Sequence, residues 1–366
     1  MFKKFKQLLT IFTITCGFIT NNSLAAQENN NKKLLLNNGV IYTANSQNQH
    51  PQAIGIINGE IIAIGSEKEV QTKLGKDFQT LDLKGNFLMP GLIDTHVHVR
   101  LLPSYKKLIE KRELNAHVSA LLLVNINSDA SIVKDVLDIK NKFELLPDLS
   151  IKGVKILQDG VIEYPSQTAK LSESYIGKGG YSGPLNIDKN KYDLNHSVTH
   201  LEVVNPKDFK RFKELGIDCS MQFLWAGKSA PTTTLLEGSV PDNLLKVLYP
   251  ANSLIKSGAL VAGASDWPVS TPNPFLAIHT ALTRMGDEGV LLPKNEIISR
   301  DDILKVYTIN AANLIGYGDK IGSIEIGKKA DFTLLDKNLE EVPVNEIPKT
   351  KVIWTMFNGT IIYSIN

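Results

Sequence analysis

Two cysteines in 366 residues cannot staple a fold, so the disulfide-dense secreted scaffolds are excluded. Charge of one sign is missing too: 40 Lys and Arg stand against 38 Asp and Glu, and nothing steers the chain toward nucleic acid or another polyanion. After the N-terminus no stretch nears the roughly 18 consecutive apolar residues of a membrane-spanning helix. Neither a G-x-x-x-x-G-K-[ST] string nor a strand-linked G-x-G-x-x-G occurs, so Asn37-Asn38-Gly39 and Gly179-Gly180 are turn material and not phosphate loops. No repeat of solenoid period and no low-complexity tract beyond an Asn-rich linker is found. What remains is a chain with 43% hydrophobic residues, enough for two domains or for one large barrel with an appendage.

The N-terminus has its own pattern. Lys3, Lys4 and Lys6 form a positive region, Leu8 to Ile19 a short apolar run, and Ser23-Leu24-Ala25-Ala26 a small-residue cleavage site, so residues 1–26 read as a secretory signal peptide. A lipoprotein reading would use Cys16, but Thr15 is bulkier than the residue expected before a lipidated cysteine, and the apolar run continues past it. Removing the leader takes away three lysines and Cys16, leaving Cys219 without an internal partner. A signal without disulfides predicts a secreted, periplasmic protein with no membrane span after processing.

Beyond the linker Gln27 to Lys32, short β segments are expected at Leu34 to Thr43, Ala53 to Ile57, Glu60 to Gly65 and Phe78 to Leu83, with Asn58-Gly59 as a type I′ hairpin turn. The last residues follow the same pattern, with Ala330 to Leu335 and Val352 to Phe357, then Asn358-Gly359 before Ile361 to Ile365. The two β-rich ends are expected to pair into one small domain. Between them, residues 91–320 alternate apolar strands with amphipathic helices, the rhythm of a parallel sheet. Six strands are expected: Leu92 to Val99, Ser119 to Asn125, Val154 to Gln158, Val198 to Val204, Ile217 to Leu224 and Leu260 to Gly263. Helices are expected at Tyr105 to Leu114, Ile132 to Leu145, Pro206 to Leu215, Asn243 to Lys256, Pro274 to Met285 and Arg300 to Leu314. Eight strands close a (β/α)₈ barrel, so the predicted class is α/β: an incomplete TIM-like barrel over 91–320, with a β-sandwich domain built from 27–90 plus 321–366.

Several residues in this frame could carry chemistry. His96 and His98, at i and i+2 on an apolar strand, face the same way; a bare H-x-H fits core histidines as well as a metal pair. Lys155 lies in a short apolar strand, where an ammonium is expensive to bury; alternation puts it on one face with Leu157 and Asp159, and neutralisation by Asp159 would also explain it. His196 and His200 fit core or cap positions, and Asp266 fits an N-cap, although it follows a strand at the end where barrel active sites lie. Arg284 could hold a substrate carboxylate, and Trp225 and Trp267 could wall a pocket; each fits packing equally. Cys219 has no nucleophile context.

The string PGLIDTHVH, Pro90 to His98, resembles the metal-binding opening of the amidohydrolase superfamily. Further strings narrow the resemblance to the YtcJ-like "amidohydrolase 3" metal-dependent hydrolases: VKILQDG at Val154 to Gly160 with Thr168-Ala169, THLEVV at Thr199 to Val204, GASDWPV at Gly263 to Val269, YTINAA at Tyr307 to Ala312, and IGSIEIGKKADFTLLD at Ile321 to Asp336. The resemblance implies metal ligands at His96, His98, Lys155, His200 and Asp266, with Lys155 as a carbamylated bridging lysine and Asp266 as ligand and catalytic proton shuttle. It implies a divalent metal, zinc by donor type, and hydrolysis of a C–N bond in a small-molecule amide by metal-activated water.

The chain departs from the family in one respect. Relatives carry a further ligand histidine in a His-x-x-Gly-Asp type string between the lysine strand and the strand of His200, yet Ile162 to Asn195 contains no histidine. A second stretch is short after Arg100. His96, His98, Lys155 and Asp266 remain for one ion and only Lys155 and His200 for another, so the second is expected to bind weakly or not at all. Open strand edges would need covering, for which a homo-oligomer is one device. The competing readings are a degenerate, non-catalytic relative that has lost part of its metal site, and an envelope solute receptor, which explains the leader but not the His-Lys-Asp set.

Overall fold

The structure is a computed structural model that describes residues 32–47, 50–98, 102–125, 131–143, 146, 148–184 and 196–365. The expected signal peptide, Arg100 and the tail of the Ile162 to Asn195 interval lie outside these residues. Among the described residues no helix is long and apolar enough to cross a membrane.

The N-terminal part runs β1 (Lys33–Asn37), β2 (Val40–Ile41), β3 (Ala53–Ile57), β4 (Glu60–Gly65), α1 (Glu67–Leu74), β5 (Gln79–Asp82) and β6 (Phe87–Pro90). The strand expected from Leu34 to Thr43 is therefore broken: Asn38 takes a positive φ of 56°, and the chain turns there between β1 and β2. Helix α1 is an addition to the expected elements, although its signal is present. Ser66 and Glu69 form a reciprocal capping box that satisfies the first free N–H groups of the helix.

The middle of the chain holds α2 (Leu102–Glu110), β7 (Val118–Leu123), α3 (Ser131–Phe143), β8 (Leu149–Lys155), β9 (Ser197–Thr199), α4 (Phe209–Glu214) and β10 (Asp218–Met221). It continues through α5 (Asp242–Leu245), α6 (Ala251–Lys256), β11 (Val261–Gly263), α7 (Pro274–Thr283), a hairpin of β12 (Met285–Gly286) and β13 (Gly289–Val290), α8 (Arg300–Val306) and α9 (Ile309–Leu314). Two expected helices are split. Asn243 to Lys256 divides before α6, whose N-cap is Pro250, and Arg300 to Leu314 divides at Tyr307-Thr308, where Thr308 leaves helical geometry at φ −129° and ψ −101°.

The last strands are β14 (Phe332–Leu335), β15 (Val352–Phe357) and β16 (Thr360–Ser364). They join the other end of the chain in a five-stranded sheet of order β16-β15-β14-β6-β2, beside a four-stranded sheet of order β4-β3-β1-β5. Leu36, Ile54 and Ile61 from one end pack with Phe332, Leu334 and Trp354 from the other in a single buried cluster. The two hairpin turns meet: Asn58-Gly59 and Asn358-Gly359 all have positive φ, as a type I′ turn demands. A Cβ on Gly59 would stand 2.5 Å from the Asn358 carbonyl oxygen, so only glycine permits this approach.

In the middle, β9, β10 and β11 form a parallel sheet of order β11-β10-β9, and β7 pairs in parallel with β8. Several expected strands are shorter than their apolar patterns, among them Ile217 to Leu224, which is paired only over Asp218–Met221. Of Leu92 to Val99, the described residues 92–98 are held by single hydrogen bonds and one bridge, Val97 to Trp267; Val99 lies outside the described residues. Val154 to Gln158 stops at Lys155, so Lys155, Leu157 and Asp159 do not share a strand face; the chain turns where the Gly160 N–H donates to the Thr168 carbonyl. Val198 to Val204 stops at Thr199, because His200 and Leu201 take positive φ values of 75° and 56°.

Candidate metal centre

Those early strand ends aim the side chains. The H-x-H segment lies beside the continuation of β11: the Thr95 N–H donates to the Gly263 carbonyl, the Asp266 N–H to the His96 carbonyl, and the His98 N–H to the Trp267 carbonyl. Asp94 ties the two segments together, since its Oδ1 accepts from the N–H groups of His96 (3.1 Å) and Ser265 (3.0 Å). Thr95 adds a hydroxyl contact of 2.7 Å to Ser220 on β10. Asp266 then leaves the strand direction at a positive φ of 59°, and its side chain is buried.

The structure brings all five expected ligand residues to one place. Asp266 Oδ1 lies 3.0 Å from His96 Nε2 and 2.8 Å from His98 Nε2. Lys155 Nζ, at the end of β8, lies 3.3 Å from His96 Nε2. His200 joins from the end of β9, its ring centroid 5.3 Å from that of His96, and its donor atom falls with those of His96 and Asp266 within 4.8 Å. His200 Nδ1 is 3.0 Å from the fully buried Gln222 Oε1, a contact that puts the proton on Nδ1 and leaves Nε2 as the free lone pair.

The donor set fits a cation. Despite two imidazoles at contact distance, the buried Oδ1 of Asp266 has no hydrogen bond, which is costly for an acceptor out of water. Nitrogen and oxygen donors about 2.1 Å from one ion stand roughly 3 to 3.4 Å from each other, close to the spacings observed. Electrostatics agree. Burial, and then the neighbouring Lys155, His200 and His98, hold His96 down to about 3, so its lone pair is available. Burial lowers Lys155 and His200 as well. Desolvation thus favours the neutral, electron-pair-donating forms of His96, Lys155 and His200.

A cleft of ≈ 560 Å³ opens beside the cluster. Trp225, one of its walls, stacks on His200 with 5.5 Å between ring centroids and 2° between planes, so the cleft adjoins the His200 side of the cluster. Glu202, two residues past His200, also lines it and is pushed up to about 8 by burial and by the nearby Glu163 and Asp159.

Other expectations are redirected. Arg284 does not face a substrate: its buried guanidinium donates to the carbonyls of Leu291, Tyr249 and Leu248, and its own backbone is the left-handed cap of α7. Trp267 is exposed at the rim and is not among the cleft walls. His196 is exposed, and its carbonyl accepts from the Asp218 N–H. Cys219 is buried, and burial followed by Asp218 pushes its thiol up to about 12, which removes it as a nucleophile.

A further cluster has no counterpart among the residues expected from sequence. His117, just before β7, places Nδ1 2.7 Å from Asp148 and Nε2 2.8 Å from Asp331. Both hydrogen bonds favour the imidazolium and outweigh the opposing effect of burial, raising His117 to about 9. Asp148 precedes β8 and Asp331 precedes β14, so the cluster fastens the β7 and β8 pair to the sheet built from both chain ends.

The amidohydrolase family model matches residues 184–363. Imidazolonepropionase of Kosmotoga olearia is 30% identical over 387 residues, spanning 85% of this chain and 90% of that protein. The chain belongs to the amidohydrolase family. N-substituted formamide deformylase of Arthrobacter pascens is 30% identical over 170 residues, 45% of this chain and 30% of that protein. The putative amidohydrolase YtcJ of Bacillus subtilis is 29% identical over 59% of this chain and 42% of its own. This amidohydrolase thus spans less than half the length of those two relatives. Among solved structures, an uncharacterized metal-dependent hydrolase from Pyrococcus horikoshii superposes with a TM-score of 0.66 at 18% identity, covering 86% of this chain and 99% of that one. An adenosine deaminase from Xanthomonas campestris with bound Zn gives 0.62 at 14% identity, over 90% and 92% of the two chains. The fold these neighbours share with this amidohydrolase is of the TIM-barrel type.

Proposed function

We propose that this amidohydrolase hydrolyses a C–N bond of a small-molecule amide, using one divalent cation held by His96, His98, Lys155 and Asp266, with His200 at its side. The observation that carries the reading is the buried Asp266 Oδ1, set between two imidazole nitrogens without a hydrogen bond. Zinc is the ion that imidazole and carboxylate donors favour, and when bound it would acidify a water and polarise a carbonyl. The chain supplies the rest. Asp266 accepts the water's proton and returns it to the leaving amine, a carboxylate serving first as base and then as acid. Gln222 fixes the His200 tautomer through Nδ1, and Asp94 holds both ligand segments in register. Lys155, half-buried beside His96 and lowered by desolvation, suits carbamylation, which converts a costly ammonium into an anionic donor.

The same proposal includes the finer points of organisation: a barrel short of strands, a composite β domain over 27–90 plus 321–366, and secretion to the periplasm. The shortened barrel supports a single strong ion, because Ile162 to Asn195 supplies no further imidazole. A second copy is the proposed cover for the β7 face, where Leu121 and Leu123 are exposed.

Metal analysis of the purified protein tests the reading, together with turnover of a panel of formamides and N-acyl amines. Near-stoichiometric metal, lost in the His96→Ala, His98→Ala double variant, and turnover abolished by Asp266→Asn are expected. Metal without any turnover would favour the degenerate, non-catalytic relative. Absence of both in a folded preparation would reject metal-dependent catalysis.

A further inference from the structure

The walls of the cleft restrict what can lie in it. Its body is apolar: Trp225, held flat by its stack on His200, faces Leu224, Leu236, Leu276 and Met285 among the lining residues. Its charged groups have one sign. Glu163 and Asp287 line it, with Glu202, which burial holds toward its neutral form, His279 and Tyr249, and no lysine or arginine does among the described residues. The nearest arginine in sequence to the cleft's Met285 is Arg284, whose buried guanidinium donates to the carbonyls of Leu248, Tyr249 and Leu291. A substrate carboxylate entering this space would find no cation, whereas an ammonium would find a counter-charge in Glu163 and, at the rim, Asp287.

We propose that the cleft selects amides whose non-reacting end is cationic, an aryl or alkyl body lying on Trp225 and an ammonium or amidinium meeting Glu163, with Asp287 at the rim, and that it rejects N-acyl amino acids bearing a free carboxylate. The inference rests on the reading of the neighbouring cluster as the hydrolytic centre, since that cluster would hold the scissile amide at the Trp225 end. Selection is electrostatic and steric. The apolar walls lower the local dielectric, which strengthens the pairing of an ammonium with Glu163 and the penalty on an anion alike. Arg284 acts inside the protein and contributes no recognition.

Two measurements separate this inference from the hydrolytic reading. The first is calorimetric binding of benzylammonium and of benzoate to the metal-loaded protein, which needs no turnover. Benzylammonium is expected to bind at least roughly tenfold tighter, the effect of one charge-assisted contact, and Glu163→Gln is expected to remove most of that preference. Asp287→Asn, at an exposed rim position, provides a second variant if Glu163→Gln does not fold. The second is the ratio of kcat/KM for aminomethyl-substituted against carboxy-substituted N-benzylformamide. Preferential benzylammonium binding without turnover of either formamide would leave the inference standing and defeat the hydrolytic reading. Equal or tighter binding of benzoate, no binding of either probe, or faster turnover of the carboxy-substituted formamide would overturn the inference.

Discussion

Two histidine-aspartate clusters in this chain share contact distances of 2.7 to 3.0 Å and differ in everything those contacts mean. At His117 one imidazole lies between two carboxylates, each on a different ring nitrogen, so both protons are used and the ring is held as a cation near 9. At His96 two imidazoles crowd one carboxylate oxygen, with Lys155 and His200 beside them, and the ring is held down to about 3. One cluster uses both ring protons in hydrogen bonds of its own. The other leaves lone pairs converging and an acceptor unsatisfied, an arrangement that could hold a cation. The ratio of imidazoles to carboxylates, and not the presence of either, separates a fastening from a metal centre.

The contrast is open to direct attack. Asp266→Asn should have the largest effect, lowering turnover by about a thousandfold or more, as loss of a positioned acid-base group does; activity within tenfold of wild type would remove Asp266 from the proton path. His117→Ala should leave metal content unchanged and destabilise the fold by about 3 kcal/mol, because it strands two partly buried carboxylates. Chemical denaturation monitored alongside metal analysis checks both halves of that statement, and lost metal in a folded His117→Ala protein would erase the distinction. The pH dependence follows from the sign of the shift. A His117 raised above its ordinary value contributes stability that is fully present below about 6.5 and is lost as pH rises through about 9. The wild-type denaturation midpoint should therefore fall between pH 7 and 10, and His117→Asn should flatten that decline. Gln222→Ala should have the smallest effect, weakening metal affinity by roughly tenfold through loss of the His200 tautomer. An unchanged affinity in a chelator competition would show that Gln222 merely packs.

Legibility in the sequence varies with the range of the forces involved. The NG turns at 58–59 and 358–359 are plain because a type I′ turn is a local demand on two residues, and both have the positive φ it requires. The capping box at Ser66 is equally local, but its helix sits between β segments whose alternation masks it. Apolar pattern overstates the strands around Lys155 and His200 because it records burial and not pairing: the chain stays buried after its ladder ends. The difference matters, since the ends of β8 and β9 are where Lys155 and His200 enter the cluster. Arg284 is ambiguous in sequence because a guanidinium serves carbonyls as well as carboxylates, and only its three backbone partners decide between them. His117 carries no signal at all, its partners lying 31 and 214 residues away.

From the order of residues alone came the alternation that separates the β-rich ends from the α/β middle, the H-x-H spacing, the anomalous lysine, and the short supply of histidine between Lys155 and His196. These are statements about periodicity and side-chain chemistry, which neighbouring residues settle among themselves. Only the folded chain decided that His96, His98, Lys155, His200 and Asp266 meet, that Arg284 is spent on carbonyls, and that the cleft beside Trp225 is lined by charge of one sign. Those depend on distances between residues far apart in sequence, where Coulomb and desolvation energies change by several kcal/mol over a few ångströms and local pattern carries no record of them.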